Sequence, residues 1–206
     1  MKNITKILYP TEQNILKVVH SLKEEKVVVC PTETVYGLIA DAFSEKAVEL
    51  VFKIKEREKE KPLSCNISSF DMLSKLTVFS SCLFERLTKK FWPGPLTIVV
   101  EKLPCVLDIV TAQKKTVAIR FSSNPILRKI TDLFGRPLVV PSANISTRGS
   151  FVDAYKVYED LNGRVEYILD GGKCEFKIES TIVYVKGENL KVLREGAIKK
   201  EELENI

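Results

Sequence analysis

The stretch that most constrains the fold is residues 27–38, which read VVVCPTETVYGL. The β-branched run at 27–29 predicts a buried strand. Pro31 ends that strand, because proline lacks the backbone N–H that a sheet requires. The loop that follows carries several hydroxyls and the Glu33 carboxylate, and Gly37 lets the backbone approach a ligand closely. Loops held at strand ends commonly bind ligands, although this loop taken alone fits a polar turn without function equally well.

A second loop of the same kind follows the apolar run at 138–140 and reads PSANIS over 141–146. The small side chains of Ser142 and Ala143 permit close approach of a ligand, and Asn144 can both donate and accept hydrogen bonds. Both loops have the order apolar strand, proline, hydroxyl. If the two strands belong to one sheet, we expect both loops to border the same crevice.

Helical and extended segments alternate along the rest of the chain, as judged from apolar spacing and capping residues. The predicted helices span 10–25, 44–55, 69–76, 81–90, 124–134 and 151–161. Further strands are predicted at 98–100, 116–120, 165–169, 182–185 and 191–194. Short connections between the later strands indicate antiparallel pairs. We therefore predict an α/β fold, a single domain over residues 1–206 with a core of about 7–198, in which helices flank a twisted sheet of mixed parallel and antiparallel strands.

Composition narrows the class of protein. The formal net charge of +5 favours anionic ligands such as nucleotides or RNA without requiring them. Five widely spaced cysteines and one histidine form no zinc motif, and they predict free thiols in a reducing cytosol. The sequence has neither the pattern of a signal peptide nor an apolar run long enough to span a bilayer, so we expect a cytoplasmic protein without a membrane partner.

Positive side chains stand at two informative places, and each has two interpretations. Lys55, Arg57 and Lys61 lie at a helix end shortly before the chain re-enters the sheet. They are either exposed side chains at the end of a helix or side chains that bind phosphate groups. Arg120 ends the apolar strand at 116–120, where an unpaired buried charge is costly. Its partner is therefore either an anionic ligand or a structural carboxylate.

Several motifs occur in a fixed order along nearly the whole chain. They are PTET-x-YGL at 31–38, KxR at 55–57 with KPL at 61–63, WPGP-x-T at 92–97, SxN at 142–144, ST at 180–181 and LR-x-GAI at 193–198. In this combination the sequence resembles the YrdC-like domain family, the catalytic domain of threonylcarbamoyl-AMP synthases. The chain ends at residue 206, so it resembles the short form of the family without the additional C-terminal domain.

The resemblance implies an enzyme, a nucleotidyltransferase, that joins L-threonine, bicarbonate and ATP into L-threonylcarbamoyladenylate and releases pyrophosphate. It also implies Mg²⁺ carried by ATP rather than a metal site of the protein, and a downstream tRNA-modifying transferase complex that uses the product to form threonylcarbamoyladenosine.

The resemblance further implies roles for individual residues. The implied catalytic residues are Lys55, Arg57, Ser142 and Asn144. The implied ATP-binding residues are Arg57, Lys61, Thr116, Ser142, Ser150 and Arg194. The implied threonine-binding residues are Thr34, Asn66, Arg120, Val140 and Ser180.

The chain departs from the family pattern at three places. Asn66 stands where a histidine usually lines the amino-acid pocket, and its amide can copy the hydrogen bonds of a neutral imidazole but cannot take up a proton. Thr147 replaces a glycine, and residues 121–123 read FSS rather than a proline-containing segment.

Two other functions fit the same sequence. A YrdC-like nucleotide-binding or RNA-binding protein without synthase activity would share the motifs, and weak tRNA binding would suit the basic surface. The sequence lacks aromatic residues interleaved on a basic stripe, which makes base-specific RNA recognition a poor fit.

Overall fold

A computed structural model describes residues 4–204 and 206. The strands are β1 (Lys6–Leu8), β2 (Val28–Cys30), β3 (Gly37–Asp41), β4 (Ser64–Asn66), β5 (Leu96–Glu101), β6 (Thr116–Arg120), β7 (Leu138–Val139), β8 (Tyr167–Leu169), β9 (Thr181–Lys186) and β10 (Asn189–Arg194). The helices are α1 (Glu12–Lys23), α2 (Glu45–Lys55), α3 (Phe70–Leu73), α4 (Cys82–Phe91), α5 (Asp108–Thr111), α6 (Pro125–Phe134), α7 (Ala154–Leu161) and α8 (Lys200–Glu204).

The strands form one ten-stranded sheet in the order β1-β8-β2-β3-β7-β4-β6-β5-β9-β10. Parallel pairs such as β4 with β6 and β5 with β9 alternate with antiparallel pairs such as β5 with β6 and β9 with β10. The predicted fold class, a mixed sheet with flanking helices, is therefore confirmed.

Apolar residues pack on both faces of the sheet. In β2 and its preceding residue, Val27 and Val29 join one apolar cluster while Val28 and Cys30 join the other, as the period of two along a strand requires. One cluster includes the apolar faces of α1 and α6, and the other includes residues of α2 and α4. Because both faces are covered, the central strands read as continuous apolar runs rather than alternating ones.

Several of the helices begin where a capping side chain predicts. The Ser44 hydroxyl accepts a hydrogen bond from the Ala47 N–H at 3.1 Å, and the Asn124 carboxamide accepts from the N–H groups of Ile126 and Leu127. Each such bond satisfies a helix N–H that otherwise has no partner within the helix. None of the described helices is long and apolar enough to cross a membrane.

The sequence analysis missed three strands. Strands β1 and β4 are three residues long, too short to show a period, and β3 follows directly on the first loop. β3 pairs antiparallel with both β2 and β7, which brings the two strand-end loops to the same place.

Candidate active site

The two strand-end loops are joined backbone to backbone. Gly37 forms an isolated antiparallel bridge with Ser142. The Ala143 N–H donates to the Tyr36 carbonyl at 2.7 Å, and the Leu38 N–H donates to the Pro141 carbonyl at 2.9 Å. A side chain at position 37 would place its Cβ 2.6 Å from a Val140 methyl carbon, so this contact requires glycine. The expectation that both loops border one crevice is thus met.

A cavity of about 410 Å³ opens beside these loops. Its lining residues are Thr34, Val35, Arg57, Pro62, Leu63, Ser64, Thr97, Val99, Lys114, Thr116, Ala118, Arg120, Val140, Pro141, Ser142, Glu179, Ser180, Ile182, Tyr184, Leu193 and Arg194. Four of these side chains are cationic and one, Glu179, is anionic, so the cavity is suited to an anionic ligand.

One face of three neighbouring strands contributes much of the lining. Thr97 of β5 pairs with Arg120 of β6 and with Ile182 of β9, and one step along the same face Val99 pairs with Ala118 and Tyr184. Every second residue of these strands therefore faces the cavity.

Arg120 is held on one side by the first loop. Its Nη2 lies 2.8 Å from Glu33 Oε1 and donates to Thr34 Oγ1 at 2.9 Å, and its Nε donates to the Gly94 carbonyl at 3.4 Å. The sequence left two possible partners for Arg120, an anionic ligand or a structural carboxylate. The structural carboxylate exists, and Arg120 lines the cavity as well.

Lys55 lies behind the second loop, with 1% of its surface exposed. Its ammonium donates to the carbonyl oxygens of Ser142 and Asn144 and, at 3.2 Å, to Asn144 Oδ1. The Asn144 amide in turn donates to the carbonyls of Ile145 and Arg148. Neither Lys55 nor Asn144 lines the cavity, and Lys55 contacts it only through the loop that carries Ser142.

Burial and, to a smaller extent, the nearby positive charge of Arg57 lower the pKa of Lys55 to about 8. Glu179 and Asp160 oppose this shift, but they do not outweigh it. Near neutral pH the ammonium is therefore protonated, and it places a positive charge directly behind Ser142.

Arg57 and Lys61 differ in position although both were predicted to bind ATP. Arg57 lines the cavity, and it donates to the carbonyls of Lys61 and Pro62 at 3.2 and 3.0 Å, which fixes its side chain at the mouth. The Lys61 side chain points to solvent in an ion pair with Glu58 and does not line the cavity.

Ser150 and Arg194 are both tied to Glu179. The Ser150 hydroxyl donates to Glu179 Oε1 at 2.7 Å, and Arg194 Nη1 pairs with Oε2 of the same carboxylate. Arg194 also donates to the Ser180 carbonyl at 2.9 Å, and Ser180 is hydrogen-bonded to Thr97 at 2.9 Å. Ser150 itself does not line the cavity.

Asn66 also lies outside the cavity lining. It is 2% exposed; its Oδ1 accepts from the Ser122 N–H at 3.1 Å and its Nδ2 donates to the Ile67 carbonyl at 3.2 Å. Both ends of the carboxamide thus have a partner within the protein, and the implied contact with threonine stays a prediction.

Comparisons with known proteins identify the family. A family model named Sua5_yciO_yrdC and described as Telomere recombination matches residues 20–196. The chain belongs to the Sua5/YciO/YrdC family. This confirms the resemblance that the motifs indicated.

Two family members and one solved structure illustrate the similarity. A threonylcarbamoyl-AMP synthase of Pyrococcus abyssi is 40% identical over 185 residues, covering 90% of this chain and 54% of that protein. A threonylcarbamoyl-AMP synthase of Vibrio vulnificus is 34% identical, covering 89% of this chain and 98% of that protein. The crystal structure of P. abyssi Sua5 complexed with L-threonine has a TM-score of 0.92 at 39% identity, covering 98% of this chain and 59% of that one. This chain thus spans little more than half the length of the P. abyssi protein.

The resemblance indicates part of the cavity lining. Eight of the implied residues line it: Thr34, Arg57, Thr116, Arg120, Val140, Ser142, Ser180 and Arg194. The motifs did not indicate Lys114, Glu179 or Tyr184, which also line it. Tyr184 is two residues beyond Ile182 on β9, so strand alternation could have found it. Lys114 lies in a loop, where no such period exists.

Proposed function

We propose that this chain catalyses the formation of L-threonylcarbamoyladenylate and pyrophosphate from L-threonine, bicarbonate and ATP. The observation that carries the proposal is a single cavity lined by both Arg120 and Arg194. Thr97 is the strand partner of Arg120 and its hydroxyl is hydrogen-bonded to Ser180, whose carbonyl accepts a hydrogen bond from Arg194. A carboxylate and a phosphate can therefore be bound side by side. Relatives named threonylcarbamoyl-AMP synthase support the choice of reaction.

The chemistry has two steps. The amine of threonine forms an N–C bond with bicarbonate, which gives a carbamate and releases water. A carbamate oxygen then attacks the α-phosphorus of ATP, a new P–O bond forms, and pyrophosphate leaves with the electrons of the broken bond. Catalysis consists of aligning the attacking oxygen and stabilising charge on the phosphates, so no protein nucleophile is needed.

The residues around the cavity suit these two tasks. Arg120, held by its hydrogen bond to Thr34, offers N–H donors to the threonine carboxylate. Ser180 and the neighbouring Thr97 can hydrogen-bond the threonine hydroxyl, and Val140 offers an apolar surface to its methyl group.

The nucleotide would be held by a separate set of groups. Arg57 and Arg194 neutralise the phosphates, with Ser142 and Thr116 as hydroxyl partners. Lys55 supports this set through the loop of Ser142 and Asn144.

Mg²⁺ would enter the site on the ATP phosphates, where it supplies charge neutralisation. Among residues 4–204 and 206, no group of three or more His, Cys, Asp and Glu side chains could hold a metal ion. The cavity carboxylate, Glu179, is already paired with Arg194 and Ser150. The residues present thus fit a metal delivered by the nucleotide.

The product would contain a mixed anhydride between carbamate and phosphate, which is an activated acyl donor. A transferase that passes the threonylcarbamoyl group to an adenosine in tRNA is the class of enzyme that would use it. Such a downstream partner is part of the proposal.

Pyrophosphate release tests the proposal. With ATP, Mg²⁺ and bicarbonate, we expect release to rise at least tenfold when L-threonine is added and to rise far less with L-serine. Arg120→Ala serves as a control, since it should remove the threonine response. Release that is independent of the amino acid, or no release while ATP still binds, would instead support a nucleotide-binding protein without synthase activity.

A further inference from the structure

The side chain that holds Arg120 does not itself line the cavity. Glu33 is 4% exposed, and its Oε1 lies 2.8 Å from Arg120 Nη2. The neighbouring residue Thr34 does line the cavity and accepts a hydrogen bond from the same Nη2. Successive residues of one loop thus place a buried carboxylate and a cavity hydroxyl on the same nitrogen.

Glu33 is itself fixed from behind. Its Oε2 accepts a hydrogen bond from the Ser122 hydroxyl, and Ser122 is fully buried. The Ser122 N–H donates to Asn66 Oδ1 at 3.1 Å, and its hydroxyl also accepts from the Asn124 N–H at 3.2 Å. A continuous buried network therefore runs from Asn66 through Ser122 and Glu33 to Arg120.

We propose that Glu33 is a positioning residue for amino-acid binding, acting with Ser122 and Asn66 to fix the Arg120 guanidinium in the orientation that receives the substrate carboxylate. This inference rests on the proposed function, because it assigns Arg120 the carboxylate of threonine. Asn66 then affects substrate recognition through Ser122 and Glu33 rather than by touching the ligand.

The network restricts the orientation of the Arg120 guanidinium. A guanidinium is a planar group of donors, so fixing its plane fixes the direction in which each N–H points. The contacts with Glu33, Thr34 and Gly94 engage Nη2 and Nε. They therefore fix the plane of the guanidinium, and the Nη1 N–H groups remain to donate to the ligand.

Glu33 is charged in this setting. Burial alone would raise the pKa of its carboxyl, but Arg120 and the hydrogen bond from Ser122 outweigh burial and lower it. Removing the charge and moving it are therefore different perturbations, and they can be separated by choice of variant.

Glu33→Asp tests the role of position at constant charge. Its shorter side chain cannot reach Ser122 and Arg120 together, so we expect the Kd for L-threonine to rise about tenfold or more. Glu33→Gln keeps the length and one acceptor oxygen, which can face Arg120, and should weaken threonine binding less than Glu33→Asp. Ser122→Ala removes only the support of Glu33 and should act in the same direction as Glu33→Asp.

Separate calorimetric titrations measure the Kd for L-threonine and the Kd for a non-hydrolysable ATP analogue. In each variant, the Kd for the ATP analogue should stay within twofold of its value in the unaltered protein. Asp41→Asn is the matched control. Asp41 is another buried carboxylate paired with an arginine, Arg136 at 2.6 Å, but it does not line the cavity. It should leave the Kd for threonine unchanged.

The outcomes separate the two claims. Threonine binding by the unaltered protein with an unchanged Kd in both Glu33→Asp and Ser122→Ala would overturn the role of Glu33 and leave the proposed function standing. Tighter threonine binding in Glu33→Gln would also overturn it, because that result would make Glu33 a charge that merely competes with the ligand. No threonine binding by the unaltered protein would overturn both claims.

Discussion

Arg57→Ala is expected to lower the rate of adenylate formation about 1,000-fold, because it removes a fixed guanidinium from the phosphate end of the reaction. Arg57 lines the cavity, and its donors to the Lys61 and Pro62 carbonyls hold it there. The fold should survive, since the loss is limited to two hydrogen bonds at a half-buried position, about 1–2 kcal/mol. Steady-state kinetics and thermal unfolding of the same preparation check both parts.

Lys59→Ala is the matched control for Arg57→Ala. Lys59 lies two residues further along the same loop, but its side chain is 60% exposed and is paired with Glu49. We expect its removal to leave the rate within twofold. Equal losses in the two variants would show that general positive charge at the mouth matters rather than the arginine in the cavity. A normal rate in Arg57→Ala would contradict the role of Arg57 in the reaction.

Lys55→Met should impair both stability and activity. The substitution preserves most of the side-chain volume but leaves the Ser142 and Asn144 carbonyls and Asn144 Oδ1 without their buried donor. We expect the free energy of unfolding to fall by about 2–4 kcal/mol and the rate to fall at least about 100-fold, because the Ser142 loop shifts relative to the phosphates. Denaturant unfolding and pyrophosphate release measure the two effects.

Lys102→Met separates these two effects of Lys55→Met. Lys102 is also a largely buried lysine, 12% exposed, that donates to a carbonyl, but it does not line the cavity. We expect Lys102→Met to lower the free energy of unfolding and to leave the rate of pyrophosphate release unchanged. If Lys55→Met also kept its rate, the loop would not depend on Lys55.

The pKa of Lys55 adds a pH signature to the comparison of Lys55→Met with the unaltered protein. Folding lowers this pKa from 10.5 to about 8, so the unfolded chain holds a proton between these values that the folded chain has released. The unaltered protein should therefore gain free energy of unfolding relative to Lys55→Met as the pH rises from 8 to 10.5, by up to about 3 kcal/mol. The difference should be constant below pH 8.

The strand-end loops show how far local sequence can predict this site. An apolar run followed by proline and hydroxyls located both loops, and the contact of Gly37 with Ser142 explains why they meet. The helix caps could also be predicted from the sequence, because each depends on residues within one turn. The period of alternation could in addition have placed Thr97 and Tyr184 on the cavity face.

Local sequence could not predict which charged side chains are buried. Lys55 stands in a run of charged residues that is typical of a solvated helix end, yet its ammonium is buried against the Ser142 loop, 87 positions further along the chain. Glu33 likewise finds Ser122 89 positions away. Asn66 is buried and pairs with Ser122, 56 positions further along the chain. These outcomes depend on tertiary contacts between distant segments.

The most direct test of the central claim follows the carbon of bicarbonate into the product. The protein is incubated with ATP, Mg²⁺, L-threonine and ¹³C-bicarbonate, and the adenylate is analysed by mass spectrometry before it decays. The proposed chemistry predicts an adenylate in which threonine is joined to AMP through one added carbonyl that carries ¹³C, formed in equal amount with pyrophosphate. An adenylate without the label, or the absence of any adenylate while threonine and ATP both bind, would contradict it.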